Sequence, residues 1–585
     1  MRCGTPSARE DWRRRLSALG RSPRAIAALW GGALSALVVA IHGPLIARDP
    51  ILQQWDDVDL LRPLRDLPSL AAYRLHLTPD LQPLRDLSFY ADIAVSRVLG
   101  VSIFHLHNVA LWLAILAVVG SLLAELSLDR AERRWTVALL AVHPVFVNTV
   151  GWIAARKHLL AALFILLATL LLLRQLQREA SWRRGLALPV LFACALLAQP
   201  IGVLWPLWGG LAAVVHRRWR APAVAVPLAI CGALAVAGAA LNLHYYLGRY
   251  HTLEGNAPKT LPLVDNLALI PQMYGRYFLD LTFPFELAAV YRAFSVGNLV
   301  GAVLFVVWVF LVVRLLAPRI ALLGLAFFLF PLAVVTFNVT PLFVSDTYLL
   351  LPAFAAALLT QQLVRRARER WNPPRLLAQT VAAVVLVALA AGAALQARAW
   401  RGDVDLWRQA YQRERDPSSI EKYASVLLAV EGAAFDPVAA RELIYELATW
   451  DDPRKKPAVF GLASRWLLRV RRDSARDRAS RIELIRDFAF PHSLKQRLLG
   501  ELLFEQLDFG AAYQAFLDGL GLVAGDPGRV AAVEEIAAYL DLLGERTGES
   551  RHASFVATAR ARAGWDEESY RSARARLAEL AAATP

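Results

Sequence analysis

The stretch RKHLLAALFILLATLLLLRQLQREASWRR, residues 156–184, holds the pattern that decides the fold: an apolar run to Leu173, then a loop dense in arginine. A helix rises about 1.5 Å per residue, so a run of this kind suffices to cross roughly 30 Å of hydrocarbon. Similar runs recur on both sides of it, near 25–47, 104–126, 135–150, 186–200, 201–215, 222–247, 297–317, 319–337, 345–363 and 377–397, giving eleven expected spans. Apolar residues make up 57% of the 585-residue chain, where soluble domains carry roughly 45–50%, and charged residues are held to 19%. With a mean hydropathy of +0.41, these figures exclude a soluble multidomain enzyme and predict an all-α polytopic membrane protein. A net charge of +15 would suggest nucleic acid in a soluble chain, but the arginines sit between apolar runs, where they act as topology signals. Nucleic acid is therefore not an expected partner. Cys3 lies in the N-terminal tail and Cys194 and Cys231 lie inside apolar runs, which leaves neither a disulfide framework nor a thiolate metal site.

The first 24 residues carry Arg2, Arg9, Arg13, Arg14, Arg15, Arg21 and Arg24 against Glu10 and Asp11. This is how a signal peptide starts, yet the run from Ala25 to about Ala47 is long and lacks a small-x-small cleavage site. The expectation is a basic cytoplasmic tail, 1–24, followed by a retained first span. If the eleven spans then alternate, the inner loops are 127–134, 174–185, 216–221, 314–319 and 364–375, containing LDRAERR, RQLQREASWRR, HRRWR, RLLAPR and RRARERWNPPR. Every one is arginine-rich, as the positive-inside rule requires. The odd span count places residues 398–585 on the outer face, as expected of a bacterial inner-membrane protein with an extracytoplasmic C-terminal domain. Two further stretches lie outside, 48–103 and 248–296. The second contains LPLVDNLALIPQMYGRYFLDLTFPF, whose interrupted apolar pattern suits a helix lying in the interface, a further pair of short spans being the alternative.

From Trp400 onward the chain becomes amphipathic and helical, with arginine and glutamate on the polar faces. In LGELLFEQLDFGAAYQAFLDGL, 499–520, Leu499, Gly500, Ala512 and Phe516 stand at the spacing of a tetratricopeptide repeat. The flanking segments 418–434 and 530–545 have helical length but degenerate signatures. A helical-repeat (TPR-like) domain is expected, with a non-repetitive bundle as the alternative.

The first outer loop begins DPILQQWDDVDLLRPLRDL, and its adjacent carboxylates Asp56 and Asp57 stand close after the first span. WDD at 55–57 is followed by PLRDLSFYADIAVSRVLG (83–100), FHLHNVALW (104–112), LLAVHPVFVNTVGWIAARKHLLA (139–161), LLAQPIGVLWPL (196–207), YFLDLTFPFEL (277–287) and SDTYLLLP (345–352). In this order they resemble the transmembrane-plus-tetratricopeptide-repeat proteins of the C-type (GT-C) glycosyltransferase superfamily, whose eukaryotic members are protein O-mannosyltransferases. The resemblance covers about residues 25–420, ending with AWRGDVDLWRQAYQRERDPSS. It implies spans surrounding a cavity open to the outer face, a polyprenyl-phosphate-linked sugar as donor, and a protein or glycan acceptor, with the C-terminal helices available to bind it. By the same analogy Asp56 or Asp57 is general base toward an acceptor hydroxyl, or its orienting partner. Arg85, Arg156 and Lys157 are candidate phosphate contacts, each equally able to serve as an interfacial anchor that snorkels. His143 and Asp346 are candidate cavity residues; for His143 the plain alternative is a helix-end histidine beside a proline break.

Departures from the family pattern bear on activity. Gln82-Pro83-Leu84 stands where the family has Arg-Pro-Leu, although Arg62-Pro63-Leu64 occurs twenty residues earlier in a near-copy, PLRDL at 63–67 and 83–87. Ala155-Arg156-Lys157-His158 and Asp346-Thr347-Tyr348 replace Gly-Arg-Lys-Asp and Asp-Arg-Tyr, so two charges are missing. An inactive, membrane-anchored scaffold that gathers partner proteins is the alternative function. A transporter is disfavoured by the lack of duplicated halves and of mid-span charges. No cofactor is expected beyond the lipid-linked donor, and no His/Cys/Asp spacing argues for a metal. The topology is testable: alkaline phosphatase fused after Arg401 should be active and fused after Arg370 inactive, and the opposite pattern would overturn the registration.

Overall fold

The computed structural model describes residues 23–48, 56–74, 81–178, 180–252, 263–289, 291, 295–336, 344–430, 435–450, 456–489, 493–506, 508–524, 533–548, 550–560 and 566–582. Every regular element among them is helical. The chain divides into two compact units, 1–414 and 415–585.

In the first unit the helices are α1 (Pro23–Arg48), α2 (Asp56–Arg65), α3 (Pro83–Leu99), α4 (Phe104–Glu125), α5 (Arg130–Ala141), α6 (Val145–Gly151), α7 (Arg156–Gln177), α8 (Trp182–Ala198), α9 (Trp205–Val215), α10 (Pro222–Thr252), α11 (Leu263–Thr282), α12 (Val296–Leu315), α13 (Pro318–Thr336), α14 (Leu350–Trp371), α15 (Arg375–Ala399) and α16 (Asp403–Arg413). Among the described residues, eight helices are long and apolar enough to cross a membrane: Ala25–Arg48, Phe104–Glu125, Ile153–Gln177, Pro222–His244, Val296–Leu315, Pro318–Val335, Asp346–Trp371 and Arg375–Ala399. The chain has the make-up of an integral membrane protein. Three of the eleven expected spans take other forms. The segment 135–150 is divided between α5 and α6, because Pro144 lacks the N–H a continuous helix needs and disfavours helical geometry at His143. The segment 186–200 is the 17-residue α8, and 201–215 is a turn at Pro200–Gly202 followed by the 11-residue α9.

Burial grades these helices from centre to rim. The apolar stretch of Ile153–Gln177 is 72% buried, against 6% for Arg375–Ala399. On α15 the exposed Val381, Val384 and Val387 share one face, as do Val303, Val306, Phe310 and Val313 on α12. Apolar stripes this extensive are tolerated only against lipid or another protein. The helix expected to lie in the interface, α11, packs against α12, and the two backbones come closest at Gly275 and Gly301. A Cβ at Gly275 would stand 1.9 Å from the Asn298 carbonyl oxygen and 2.5 Å from the Ala302 nitrogen. Small residues at a crossing let helices approach this closely where no hydrophobic effect drives them together.

The second unit contains α17 (Pro417–Ala429), α18 (Pro437–Ala448), α19 (Lys456–Arg471), α20 (Arg478–Arg486), α21 (Ser493–Glu505), α22 (Phe509–Ala524), α23 (Val533–Thr547), α24 (Ala553–Arg560) and α25 (Glu567–Ala582). Aspartates start five of these helices: Asp416, Asp436, Asp477, Asp508 and Asp566 each accept a backbone N–H of the first turn. The pair α21–α22 spans the stretch 499–520 in which the repeat-like spacing occurs. A Cβ at Gly500 would come within 2.7 Å of the Phe516 ring, so the glycine is what lets that ring seat. Phe516 in turn stacks on Tyr539 of α23 at 4.3 Å.

The α11–α12 crossing gives a direct test. Gly275→Ala must push the helices apart, and overpacking of this kind costs typically about 1–3 kcal/mol. Gly32→Ala, where a Cβ meets nothing within 4 Å, is the control. Thermal unfolding in detergent should separate the two variants; equal melting temperatures would rule out the close crossing.

Candidate functional site

Between α5 and α7 the backbone leaves α geometry twice, at Val142–Pro144 and at Trp152–Ala155. Irregular backbone inside an apolar body persists only where protein groups take the freed hydrogen bonds. Here other helices supply them. His105 Nε2 lies 2.9 Å from the Gly151 carbonyl, and Asn108 Nδ2 donates to the carbonyls of Val150 at 3.1 Å and Trp152 at 3.4 Å. Asp57 Oδ1 accepts from the Ala154 N–H at 2.9 Å, capping the turn Ile153–Ala155 from another part of the chain. His143 Nε2 reaches the Leu281 carbonyl at 3.1 Å.

Arg156 opens α7 and is fully buried. Its Nη1 forms an ion pair with Asp92 Oδ2 at 2.5 Å, Nε donates to Asn108 Oδ1 at 2.7 Å, and Nη2 donates to the Phe104 carbonyl at 2.8 Å. The guanidinium also lies over the Phe89 ring, 4.6 Å from its centroid. A buried ion costs several kcal/mol of lost hydration unless it is matched, and this set of partners matches it. Asp92 additionally meets His107 Nδ1 at 2.7 Å.

Arg85 sits on the same helix as Asp92 and is also fully buried. Its Nε and Nη2 both reach Asp86 Oδ1, at 3.0 and 2.8 Å, and Nη1 donates to Gln82 Oε1 at 2.8 Å. Gln82 donates from Nε2 to Gln199 Oε1 at 2.5 Å. Tyr73 closes the cluster with a hydrogen bond to Asp86 Oδ2 at 3.1 Å.

A third cluster surrounds Asp346, at the start of the turn leading into α14. Asn148 Nδ2 donates to Asp346 Oδ2 and to the Ala288 carbonyl, while its Oδ1 accepts from Gln396 Nε2 at 2.7 Å and Trp400 Nε1 at 2.8 Å. The whole bonding capacity of one amide is used. Tyr291 donates its hydroxyl to Asp346 Oδ2 at 2.8 Å and carries the Arg276 guanidinium over its ring at 4.0 Å. Arg276 Nε lies 3.0 Å from Asp280 Oδ1, and Nη1 lies 3.5 Å from Glu414. Burial pushes the Asp280 carboxyl up to about 6, against the pull of Arg276.

The expected site residues thus fall into linked groups. Asp57 holds the turn before α7, and Arg156 and its half-buried neighbour Lys157 are the first two residues of α7; Arg85 stands further back along α3; Asp346 belongs with Asn148, and His143 reaches the end of α11. His158 joins the groups, with its ring edge-on to Tyr348 at 5.3 Å. Thr347 shares a hydrogen bond with Ser345 at 2.9 Å. Asp56 is the first residue of α2, and its side chain, like Trp55 and the tail 1–22, lies outside the described residues. Two cavities, one between α1, α4 and α5 and one between α4, α7, α9, α13 and α14, are lined by none of these site residues. Among the described residues no group of three His, Cys, Asp or Glu side chains is placed to hold a metal ion. No family model matches the chain, and neither a curated protein nor a solved structure matches it.

Sequence reasoning passed over Asn148, Asn108, Asp92, Asp280 and Tyr291. The two asparagines did leave a signal, an amide inside the apolar runs VFVNTVG and FHLHNVALW. Asn148→Leu leaves Asp346, Gln396 and Trp400 each short of a partner, at about 1–3 kcal/mol for each buried group left unsatisfied. Thr149→Val is the contrast, since the buried Thr149 hydroxyl has no partner among the described residues. The first variant should melt several degrees lower in detergent and the second at or above wild type; the same melting temperature for both would refute the hub.

Proposed function

We propose that the chain is a GT-C-like membrane glycosyltransferase, moving a sugar from a polyprenyl-phosphate donor to the hydroxyl of a protein or glycan at the outer face of a bacterial inner membrane. The observation that carries this reading is convergence: WDD, PLRDLSFYAD, FHLHN, YFLDL and SDTY, far apart in sequence, all reach the segment His143–His158. In this arrangement the chain crosses eleven times. The divided α5–α6, the short α8 and the Pro200–Val215 segment are crossings, the N-terminus is cytoplasmic, and the extracytoplasmic C-terminal unit is TPR-like and binds the acceptor.

Asp57 is held by the Ala154 N–H and serves as the orienting carboxylate, so Asp56 takes the proton as general base. The acceptor oxygen attacks the anomeric carbon of the sugar, the bond from that carbon to the phosphate oxygen breaks, and the polyprenyl phosphate leaves with the electron pair. That leaving group is already anionic and needs a cation rather than a proton. Lys157, the least buried of the three candidate cations, meets the phosphate, while Arg156 fixes the helix start that carries it.

A second reading has its own observation. Arg85 and Arg156 are fully buried with carboxylates already matched, an arrangement that a catalytically inactive, membrane-anchored scaffold for partner proteins also satisfies. The two part on one measurement. Asp56→Asn should lower sugar transfer from a polyprenyl-phosphate donor by roughly 10²–10⁴-fold, the usual contribution of a general base, with unchanged melting. Asp57→Asn should lower transfer and melting temperature together. A wild-type protein that transfers no sugar from any lipid-linked donor would favour the scaffold, whereas full activity in Asp56→Asn would overturn the general-base assignment and leave the transferase standing.

A further inference from the structure

We propose that the groove between α1, α4 and α5 is a binding site for an anionic phospholipid, its phosphate held by Arg130, Arg133 and Arg134 and an acyl chain laid between α1 and α4. The groove has a volume of about 560 Å³. Its apolar walls are formed by Leu34 on α1 and Leu113 and Leu116 on α4, and small residues, Gly31, Ala117 and Gly120, leave it open along its length. At one end stand the three arginines, in the first turns of a helix that begins directly after α4 ends. Trp30 lines the groove as well, an amphipathic ring of the kind that sits at headgroup level.

Charge decides the occupant. The two carboxylates nearest in sequence are committed to the helix start: Asp129 accepts from the Glu132 N–H at 2.8 Å, and Glu132 accepts from the Asp129 N–H at 3.0 Å. Among the described residues no carboxylate pairs with Arg130, Arg133 or Arg134, and none lines the groove. The neighbouring basic segment differs, because Arg174 and Arg178 both pair with a carboxylate, Glu125. Three cations at the mouth of an apolar groove match a phosphodiester with hydrocarbon tails. A choline or ethanolamine headgroup would bring its own cation against them. The chain's own N-terminal tail, with Arg2, Arg9, Arg13, Arg14, Arg15 and Arg21 against Glu10 and Asp11, has the same sign of charge and is opposed as an occupant.

Native mass spectrometry of the full chain in neutral detergent tests this, with phosphatidylglycerol, phosphatidylcholine and inorganic phosphate titrated separately. Phosphatidylglycerol should bind well above phosphatidylcholine, and inorganic phosphate should not displace it at equal concentration. At roughly fivefold per basic side chain, the triple variant R130Q/R133Q/R134Q should bind it roughly a hundredfold more weakly. Ala117→Trp, which fills the groove and leaves every charge in place, should also weaken it, whereas R183Q/R184Q should not. The proposal is overturned if the triple variant or Ala117→Trp binds as wild type does, if R183Q/R184Q loses binding to the same extent as the triple variant, or if phosphatidylcholine binds equally well. Displacement by inorganic phosphate would reduce the site to an anion contact, and tighter lipid binding after removal of residues 2–20 would make the tail the natural occupant; either result overturns it too.

Discussion

Everything in the membrane unit depends on how two interruptions of helical backbone are satisfied away from water. Pro144 and the Trp152–Ala155 turn free N–H and C=O groups that α5, α6 and α7 cannot bond among themselves. In hydrocarbon each such group left alone costs several kcal/mol. Asp57, His105 and Asn108 answer the second break and His143 ties the first to α11, so helices from distant parts of the sequence are held by what the broken segment lacks.

The same constraint explains why charge is buried so deeply here. Arg156 gains nothing from enclosure by itself. Its location at the start of α7 makes Asp92, Asn108 and the Phe104 carbonyl converge, and removal of any one would leave an ion or a carbonyl exposed to a medium that cannot solvate it. Asn108 does double service, since its carbonyl end holds Arg156 while its amide end holds the backbone of Val150 and Trp152. Side chains coupled in this way contribute more together than the sum of single deletions suggests.

How much of this was legible in the sequence follows from the range of each interaction. Apolar length is a local property: seven of the eight long helices coincide with expected spans to within about four residues at each end, and the eighth, Asp346–Trp371, runs eight residues beyond the span expected at 345–363. Hydropathy reads 135–150 as one span because it counts apolar residues and ignores where a proline, Pro144, interrupts them. The role of Asn148 was beyond reach for another reason: its partners Gln396 and Trp400 lie 248 and 252 residues away, and nothing in their own surroundings marks them. Asp57 is visible in the sequence as half of a carboxylate pair, whereas its bond to the Ala154 N–H, 97 residues away, is information held in the fold alone.

The near-repeat PLRDL makes the same point at closer range. In the first copy Arg65 and Asp66 are exposed at the end of α2, where the Arg65 carbonyl accepts from Arg97. In the second, Arg85 and Asp86 form a fully buried pair at the start of α3. What precedes each copy fits its setting. Arg62 is exposed to the surroundings, whereas Gln82 is buried and bridges Arg85 to Gln199. An arginine at 82 would put a second cation into a pocket that already has one cation and one carboxylate, and the neutral amide avoids this while keeping both hydrogen bonds. The neutral Gln82 is therefore matched to the charge of the pocket around it.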